Sequence, residues 1–543
     1  ITSADAGKAG SPVLLMGSTN AGGALLSRST NNTSLLRINA DHMDVAGLSV
    51  RGGFLRANGN NLNLSDLNLS TGTVEITSRS STVTRVTQVG SYFRLQGSAD
   101  MVLQRLNMRN ARLETKGSSD ILVENALIYG TSTNAVLVDE SQRFTMRNCT
   151  LSVNGNQFLQ SGSSLSEIEN NIMVANGASR FCILQLGGAL DSDYNTLVTR
   201  NGAWFGNAEG QWEKLIYWQD ESGLDVHSLP HEPLFVNEGG GDYHLQSYVG
   251  SWNGTGWSTN ANHSPAIDAG NPSTVYTNEP YPRGPAVNMG AYGGTEEASK
   301  SLLDPWLLAL TVSDGGVLSG TNTLYWLSGN IIPTNTLRLD YSLDGGVTWI
   351  TFAPGLDSTL NEYAWDTTAN ITNSIETLWR VVVEANTNVF DETDEPFSVR
   401  NAPIYFYVND TNTAGDVFCG APGSALNDGL TTNTPKLTIQ GILDAYDLEG
   451  YDTVFVDAGY YKLGTETRMI WSDAGKADIG NLLIQGAGTG TVIAGWSRAP
   501  AATALRIYGN YIDLRDFTVS DAGVGILMDS NHYVTAENLL MIS

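Results

Sequence analysis

Between Leu35 and Gly202, apolar residues recur in six-residue units. An apolar residue opens each unit, and another follows three and often five places on. The units are Val45-Ala-Gly-Leu-Ser-Val50, Leu64-Ser-Asp-Leu-Asn-Leu69, Leu103-Gln-Arg-Leu-Asn-Met108, Val123-Glu-Asn-Ala-Leu-Ile128, Met146-Arg-Asn-Cys-Thr-Leu151 and Ile168-Glu-Asn-Asn-Ile-Met173, with a weaker copy at Val83-Thr-Arg-Val-Thr-Gln88. Their starts step by 19, 19, 20, 20, 23 and 22 residues. A fixed period of this size marks a solenoid. It is too short for a helix pair but fits three short strands and three turns, one coil of a parallel β-helix. Strand alternation sends the apolar side chains to the inside of the coil. Asn125, Asn148 and Asn170 fall at one point of three successive coils. Asparagine tolerates a left-handed backbone, so an asparagine ladder with amide bonded to amide is the structural expectation. A row of sugar-binding amides is the functional alternative.

The same pattern divides the chain. Residues 1–34 read as early coils, with Val13–Met16 as a strand, and Trp204–Ser228 as a decorated late coil that breaks the period. Residues 302–403 hold seven short apolar runs in about a hundred residues, which predicts an immunoglobulin-like β-sandwich. Within it Ser342-Leu-Asp-Gly-Gly-Val-Thr-Trp349 matches the Asp-box pattern. A single box predicts a hairpin turn in which Asp344 bonds the turn amides and Trp349 packs beneath. In 404–543 a strand at Ile404–Val408 is followed by Ile439, Ile442, Leu443 and Tyr446 at helical spacing. That suits a capping helix before the first coils of a second β-helix. Asp473-Ala-Gly-Lys-Ala477 repeats Asp5-Ala-Gly-Lys-Ala9, and Arg506–Val519 aligns with Arg37–Val50, at offsets of 468 and 469 residues. The expected organisation is therefore all-β: a right-handed parallel β-helix (1–301, without its N-terminal cap), an Ig-like sandwich (302–403) and the cap and opening coils of a second β-helix (404–543). Together they make a tandem repeat of about 468 residues.

Composition narrows the function. Charged residues make up 16% of the chain, and 58 glycines argue for short strands and many turns. The net charge of −27 would repel phosphate, so nucleic acid is not an expected partner. No run of about eighteen apolar residues exists, so no membrane span is expected. Cys149, Cys182 and Cys419 match no metal knuckle, and Cys149 reads as a small buried thiol. The six histidines, His42, His227, His231, His244, His263 and His532, show no metal spacing. The sequence opens at Ile1 without a signal peptide, which reads as mature material or as a window on a longer chain.

A resemblance enters at Trp218–Ser228, Glu232-Pro-Leu-Phe-Val236, Asp242–Ser247, Ser264-Pro-Ala-Ile-Asp-Ala-Gly270, Glu279-Pro280 and Asn288-Met-Gly-Ala-Tyr-Gly-Gly-Thr295. This order resembles the C-terminal end of secreted bacterial β-helix proteins of the pectin-lyase-like superfamily, common in large surface proteins of planctomycete-type bacteria. The resemblance implies an extracellular or cell-surface location and a segment that closes the last coil. It does not fix an activity, because the superfamily spans lyases, hydrolases, adhesins and spacers. Its lyases pair a basic residue with Ca²⁺-binding Asp, and its hydrolases use clustered Asp. The best carboxylates on offer are Asp191 and Asp193 with Asp139 two coils away, and no basic residue matches them. No catalytic residue and no cofactor are assigned, Ca²⁺ remaining open. The expected function is a structural rod that self-associates into a fibre or sheath. At about 22 residues per coil, roughly 300 residues would give on the order of 60 Å of rod. The alternatives are a polysaccharide-binding or polysaccharide-degrading protein, with Tyr92, Phe93 and Trp204 as candidate exposed rings, or an adhesin.

Overall fold

A computed structural model describes residues 1–17, 24–27, 34–208, 210–475, 480–529 and 533–542. The fold is all-β and is dominated by a parallel β-solenoid. Two compact units are present, one of residues 1–315, 323–363 and 378–396, the other of 316–322, 364–377 and 397–543.

The first unit carries the long coil stack. One sheet of eight parallel strands runs from Ser34–Ile38 to Ile183–Gln185. A fifteen-stranded parallel sheet forms the other two faces, because its strands bend at a corner. In Asn63–Ser70, Arg79–Val89 and Ala99–Arg109 both arms belong to one strand, and elsewhere they are separate short strands. The corner residue takes a left-handed backbone at every level: Gly47, Asp66, Arg85, Arg105, Asn125, Asn148, Asn170 and Tyr194 all have positive φ. They stand in register from coil to coil. One αL residue turns a strand sharply without spending a loop.

The apolar period is the core of this stack. The unit-opening residues Val45, Leu64, Val83, Leu103, Val123, Met146 and Ile168 are all at most 1% exposed. Leu48, Leu67, Val86, Leu106, Ala126 and Cys149 fill the fourth position, and Val50, Leu69, Met108, Ile128, Leu151 and Met173 the sixth. In the weak copy the sixth position is Gln88, fully buried, whose amide donates to the carbonyls of Gly72 and Gly90. Two polar ladders run through the stack. Ser78, Ser98 and Ser118 each donate a backbone N–H to the hydroxyl of the next serine at 3.2 Å, and Ser141 reaches Ser164 at 3.0 Å. A second ladder climbs from Ala126 through Cys149, Asn171 and Asn195 to Ser228, each N–H donating to the side chain one coil on.

The stack ends at Asp225–Leu229, where Leu197 donates to the Leu229 carbonyl at 2.8 Å. The helix Leu215–Ser222 packs there through fully buried Trp218, whose indole N–H donates to Asp225 at 2.9 Å. From Asn271 to Glu296 the motif-rich segment 264–301 runs along the corner column, and its Met289 also meets Thr196 of the last coil at 3.1 Å. This unit also holds antiparallel pairs, Trp306–Ala309 with the end of Thr321–Gly329, and Thr336–Ser342 between Ile350–Asp357 and Leu378–Val383.

The second unit contains parallel strands stacked in three sheets. Their orders are Tyr405–Val408, Thr453–Val456, Leu482–Gly486, Ile512–Arg515, Val534–Glu537; then Gly459–Lys462, Thr491–Ala494, Thr518–Ser520, Leu540–Ile542; then Thr467–Met469, Thr503–Ile507, Val524–Met528. The expected helix is one short turn, Ile439–Leu443, capped by the Thr438 hydroxyl and buried through Ile439, Ile442 and Leu443.

Candidate functional site

The three expected asparagines do occupy one column, with φ of 52°, 49° and 58°. Their amides do not bond one another. Asn125 donates to the carbonyls of Ala291 (3.1 Å) and Gly293 (2.9 Å), Asn148 to that of Asn288 (3.1 Å), and Asn170 to the Thr274 hydroxyl (3.0 Å). Asn170 Oδ1 also accepts from the Asn271 N–H at 2.6 Å. The corner side chains project outward, where Asp66 and Arg85 still pair across one coil at 2.6 Å; at the three asparagine levels segment 271–296 takes the amides instead. The residue after each corner turns inward, and that position carries the true ladder.

The segment Asn271–Glu296 is thus a strap held by the corner column. It starts at the level of Asn170 and reaches back to Arg105, which pairs with Glu296 at 2.7 Å. Its motif residues are fasteners. A Cβ on Gly290, whose φ is +88°, would lie 2.7 Å from Ile172 Cδ1, and one on Gly293 would lie 1.8 Å from the Asn288 carbonyl oxygen. Asp268 accepts from the Ser301 hydroxyl at 2.6 Å, and Glu279 Oε1 from the N–H groups of Asn288 (2.9 Å) and Gly294 (2.7 Å). Burial raises both acids, Asp268 to about 6 and Glu279 to about 7.

Between corner and strap lies a groove of about 520 Å³. Its floor is the outward position just before each corner: Gln104, Glu124, Arg147 and Glu169. Gln104 donates to Glu124 at 2.6 Å, Arg147 pairs with the same carboxylate, and Asn271 donates to Glu169 at 3.0 Å. Asn271, Ser273, Thr274 and Asn278 form the strap side. Glu124 and Glu169 stand two coils apart, on the order of 10 Å along the stack, with Arg147 between them. The groove offers amides, hydroxyls and a neutralised row of charge.

The other expected candidates disperse. Asp139 belongs to the eight-stranded sheet, where it pairs with Lys116 (3.1 Å) and accepts from Ser161 (2.9 Å). Asp191 and Asp193 belong to the other sheet, so the two groups do not meet. Asp193 is taken up by His227 Nδ1 at 2.6 Å, and the His227 ring stacks on Tyr194. Among the described residues no group of three or more His, Cys, Asp or Glu side chains is placed to hold a metal. His532 lies outside the described residues. Phe93 is core, Tyr92 lies under the Arg94 guanidinium at 4.4 Å, and Trp204 is half-buried, so the three make no exposed aromatic row. Cys149 is fully buried, and desolvation pushes its thiol up to about 12.

In the Asp-box turn, Asp344 accepts from the Thr348 N–H (2.8 Å), the Thr348 hydroxyl (2.7 Å) and the Ser342 hydroxyl (2.7 Å). These bonds, the Thr348 amide first, hold its carboxyl down at about 2. Trp349 lies beneath the Arg380 guanidinium, 4.1 Å from its ring centre.

Residues 110–270 match a protein family described as Disaggregatase related. The match runs from the middle coils to the foot of the strap. No curated protein and no solved structure matches the chain. No helix among the described residues is long and apolar enough to cross a membrane.

Proposed function

We propose that this is an extracellular or cell-surface structural protein in which β-helix units, joined by Ig-like spacers, repeat in tandem as a stiff rod, filament or sheath. The proposed units are 1–301, 302–403 and 404–543, with the last opening a second β-helix. The observation that carries the reading is the repeat. Left-handed corners at His42, Gly47 and Gly52 recur 469 residues on at Tyr511, Asp516 and Asp521. The strand pairing Val13↔Met43 recurs as Leu482↔Ile512. A sequence that rebuilds the same coil after an interposed antiparallel unit is suited to array construction. Self-association of such arrays is part of the proposal, and it calls for no cofactor.

Electron microscopy of the native material tests it. Filaments with an axial repeat set by one β-helix plus one spacer are expected, whereas dispersed compact particles would sink the reading. A second reading, a polysaccharide-binding surface or adhesin, rests on the groove between corner column and strap. Four coil levels there span on the order of 14 Å, a length suited to a few sugar units. Glycan-array binding lost in Arg147→Ala would favour it. The family described as Disaggregatase related is compatible with either.

A further inference from the structure

We infer that the strand edge formed by Val13–Met16 and Ala24–Ser27 is the seat of a further copy of residues 404–468, supplied by a preceding repeat. This rests on the tandem reading and adds its partner segment and strand register.

The described parts of the coil that begins at Ile1 and of the coil that begins at Met469 share their local contacts. Asp5 accepts from the Thr2 N–H at 2.8 Å, and Asp473 from the Ile470 N–H at 3.2 Å. Asn39 donates to the Ile1 carbonyl at 3.1 Å, and Tyr508 to that of Met469 at 2.9 Å. Gly7 donates to Asp41, and Gly475 to Asn510; Val13 donates to His42, and Leu482 to Tyr511. A Cβ on Gly17 would strike the Gly47 carbonyl, and one on Gly486 the Asp516 carbonyl.

The two coils differ in what lies on their other edge. Leu482–Gly486 pairs there with Thr453–Val456, and the Leu483 N–H donates to the Asp452 carbonyl at 2.9 Å. Thr491–Ala494 likewise pairs with Gly459–Lys462. Leu482, Ile484 and Ile493 are consequently 0% exposed. Among the described residues, no strand lies beyond Val13–Met16 or Ala24–Ser27. Val13, the counterpart of Leu482, is 41% exposed, and Leu15 and Leu26, the counterparts of Ile484 and Ile493, are only half-buried, while the outward-facing Leu14, Met16 and Leu25 are each more than half exposed. An edge with unpaired backbone groups and apolar side chains is a template for another strand. The strand that fits is already written in this sequence. Placed by the repeat, Thr453 lies beside Leu14, Val454 beside Leu15 and Phe455 beside Met16. Because Met469 is the counterpart of Ile1, Arg468 of the added copy joins Ile1 directly, with no linker.

The test compares the 543-residue chain with the same chain carrying residues 404–468 joined ahead of Ile1, by hydrogen–deuterium exchange. The Leu14 amide is expected to slow at least about tenfold. Amides of Ala99–Arg109 should stay equally protected in both chains, which checks the fold. A second measurement fixes register, with Cys419→Ser in both copies. Leu15→Cys should oxidise to a disulfide with Val454→Cys of the added copy, and not with Phe455→Cys, whose side chain faces the other way. Unchanged Leu14 exchange in the extended chain, with core amides protected, overturns the inference. So does a slowing of Leu14 with concentration in the unextended chain, since that assigns the edge to a second molecule. Rods seen by microscopy beside unchanged exchange would leave the tandem reading standing without this seat, and protection without rods would do the reverse.

Discussion

At the scale of single residues, the corner column and the inner ladder make opposite demands on asparagine. Asn171 is wholly buried, takes the Cys149 N–H on its carbonyl oxygen and donates to the Met146 carbonyl. Asn171→Ala orphans both groups and should cost on the order of 3 kcal/mol in urea unfolding. Asn125→Ala loses two strap bonds and an αL-tolerant residue, and should cost about 1–2 kcal/mol. The reverse order would restore the outer column as the structural ladder. Cys149 and Cys182 are both buried, with thiols pushed up to about 12 by desolvation. Neither should react with a thiol reagent at pH 8 until the chain unfolds. The asparagine column was legible in the sequence because three asparagines share a position. The ladder was not, because its members, Ala126, Cys149, Asn171, Asn195 and Ser228, differ in chemistry and share only a backbone role. The serine ladder could have been found, since Ser78, Ser98, Ser118, Ser141 and Ser164 keep the coil period.

At the scale of elements, the strap is where sequence reading stopped short. The motifs around Asp268, Glu279 and Asn288 announced a closing segment, and period alone gave no sign of which surface it closes. The αL asparagines decide that, by offering outward amides along one line. Glu279 makes the strap sensitive to pH. Its carboxyl rises from 4.5 to about 7 because burial disfavours the charged form. A raised carboxyl contributes stability that is full below its unfolded value and is lost as pH rises through the folded one. Glu279→Gln should therefore stabilise the strap at pH 8 by on the order of 3 kcal/mol and change little at pH 4. Exchange rates of the Asn288 and Gly294 amides measure it. Equal exchange in both proteins at pH 8 would remove Glu279 as the cause. Arg105→Ala, by contrast, breaks a largely exposed pair with Glu296 and should cost no more than about 1 kcal/mol.

For the molecule as a whole, the balance of buried acids sets a direction. Asp314 is raised to about 6 and Asp391 to about 7, again by desolvation, and they join Asp268 and Glu279. Glu296 is instead held at about 2 by its bonds to Arg105, so its contribution survives until pH falls below the ordinary carboxylate range. A net charge of −27 adds self-repulsion as pH rises. Thermal midpoints should therefore peak near about pH 5 and decline toward pH 8; a midpoint still rising at pH 8 would contradict this balance. The solenoid itself was legible from the hexads, since every one of their opening residues is core. Its lengthening steps have a consequence of their own. The corner column takes one residue at every level, so extra residues enter elsewhere. Six residues, Gly130–Ala135, link Leu127–Tyr129 to Val136–Asp139, where two, Asn110 and Ala111, serve one coil earlier. Ser132 and Thr133 are exposed at that turn. The solenoid is thereby a shelf with a free lip, on which foreign peptides can be grafted rung by rung at a spacing fixed by the backbone.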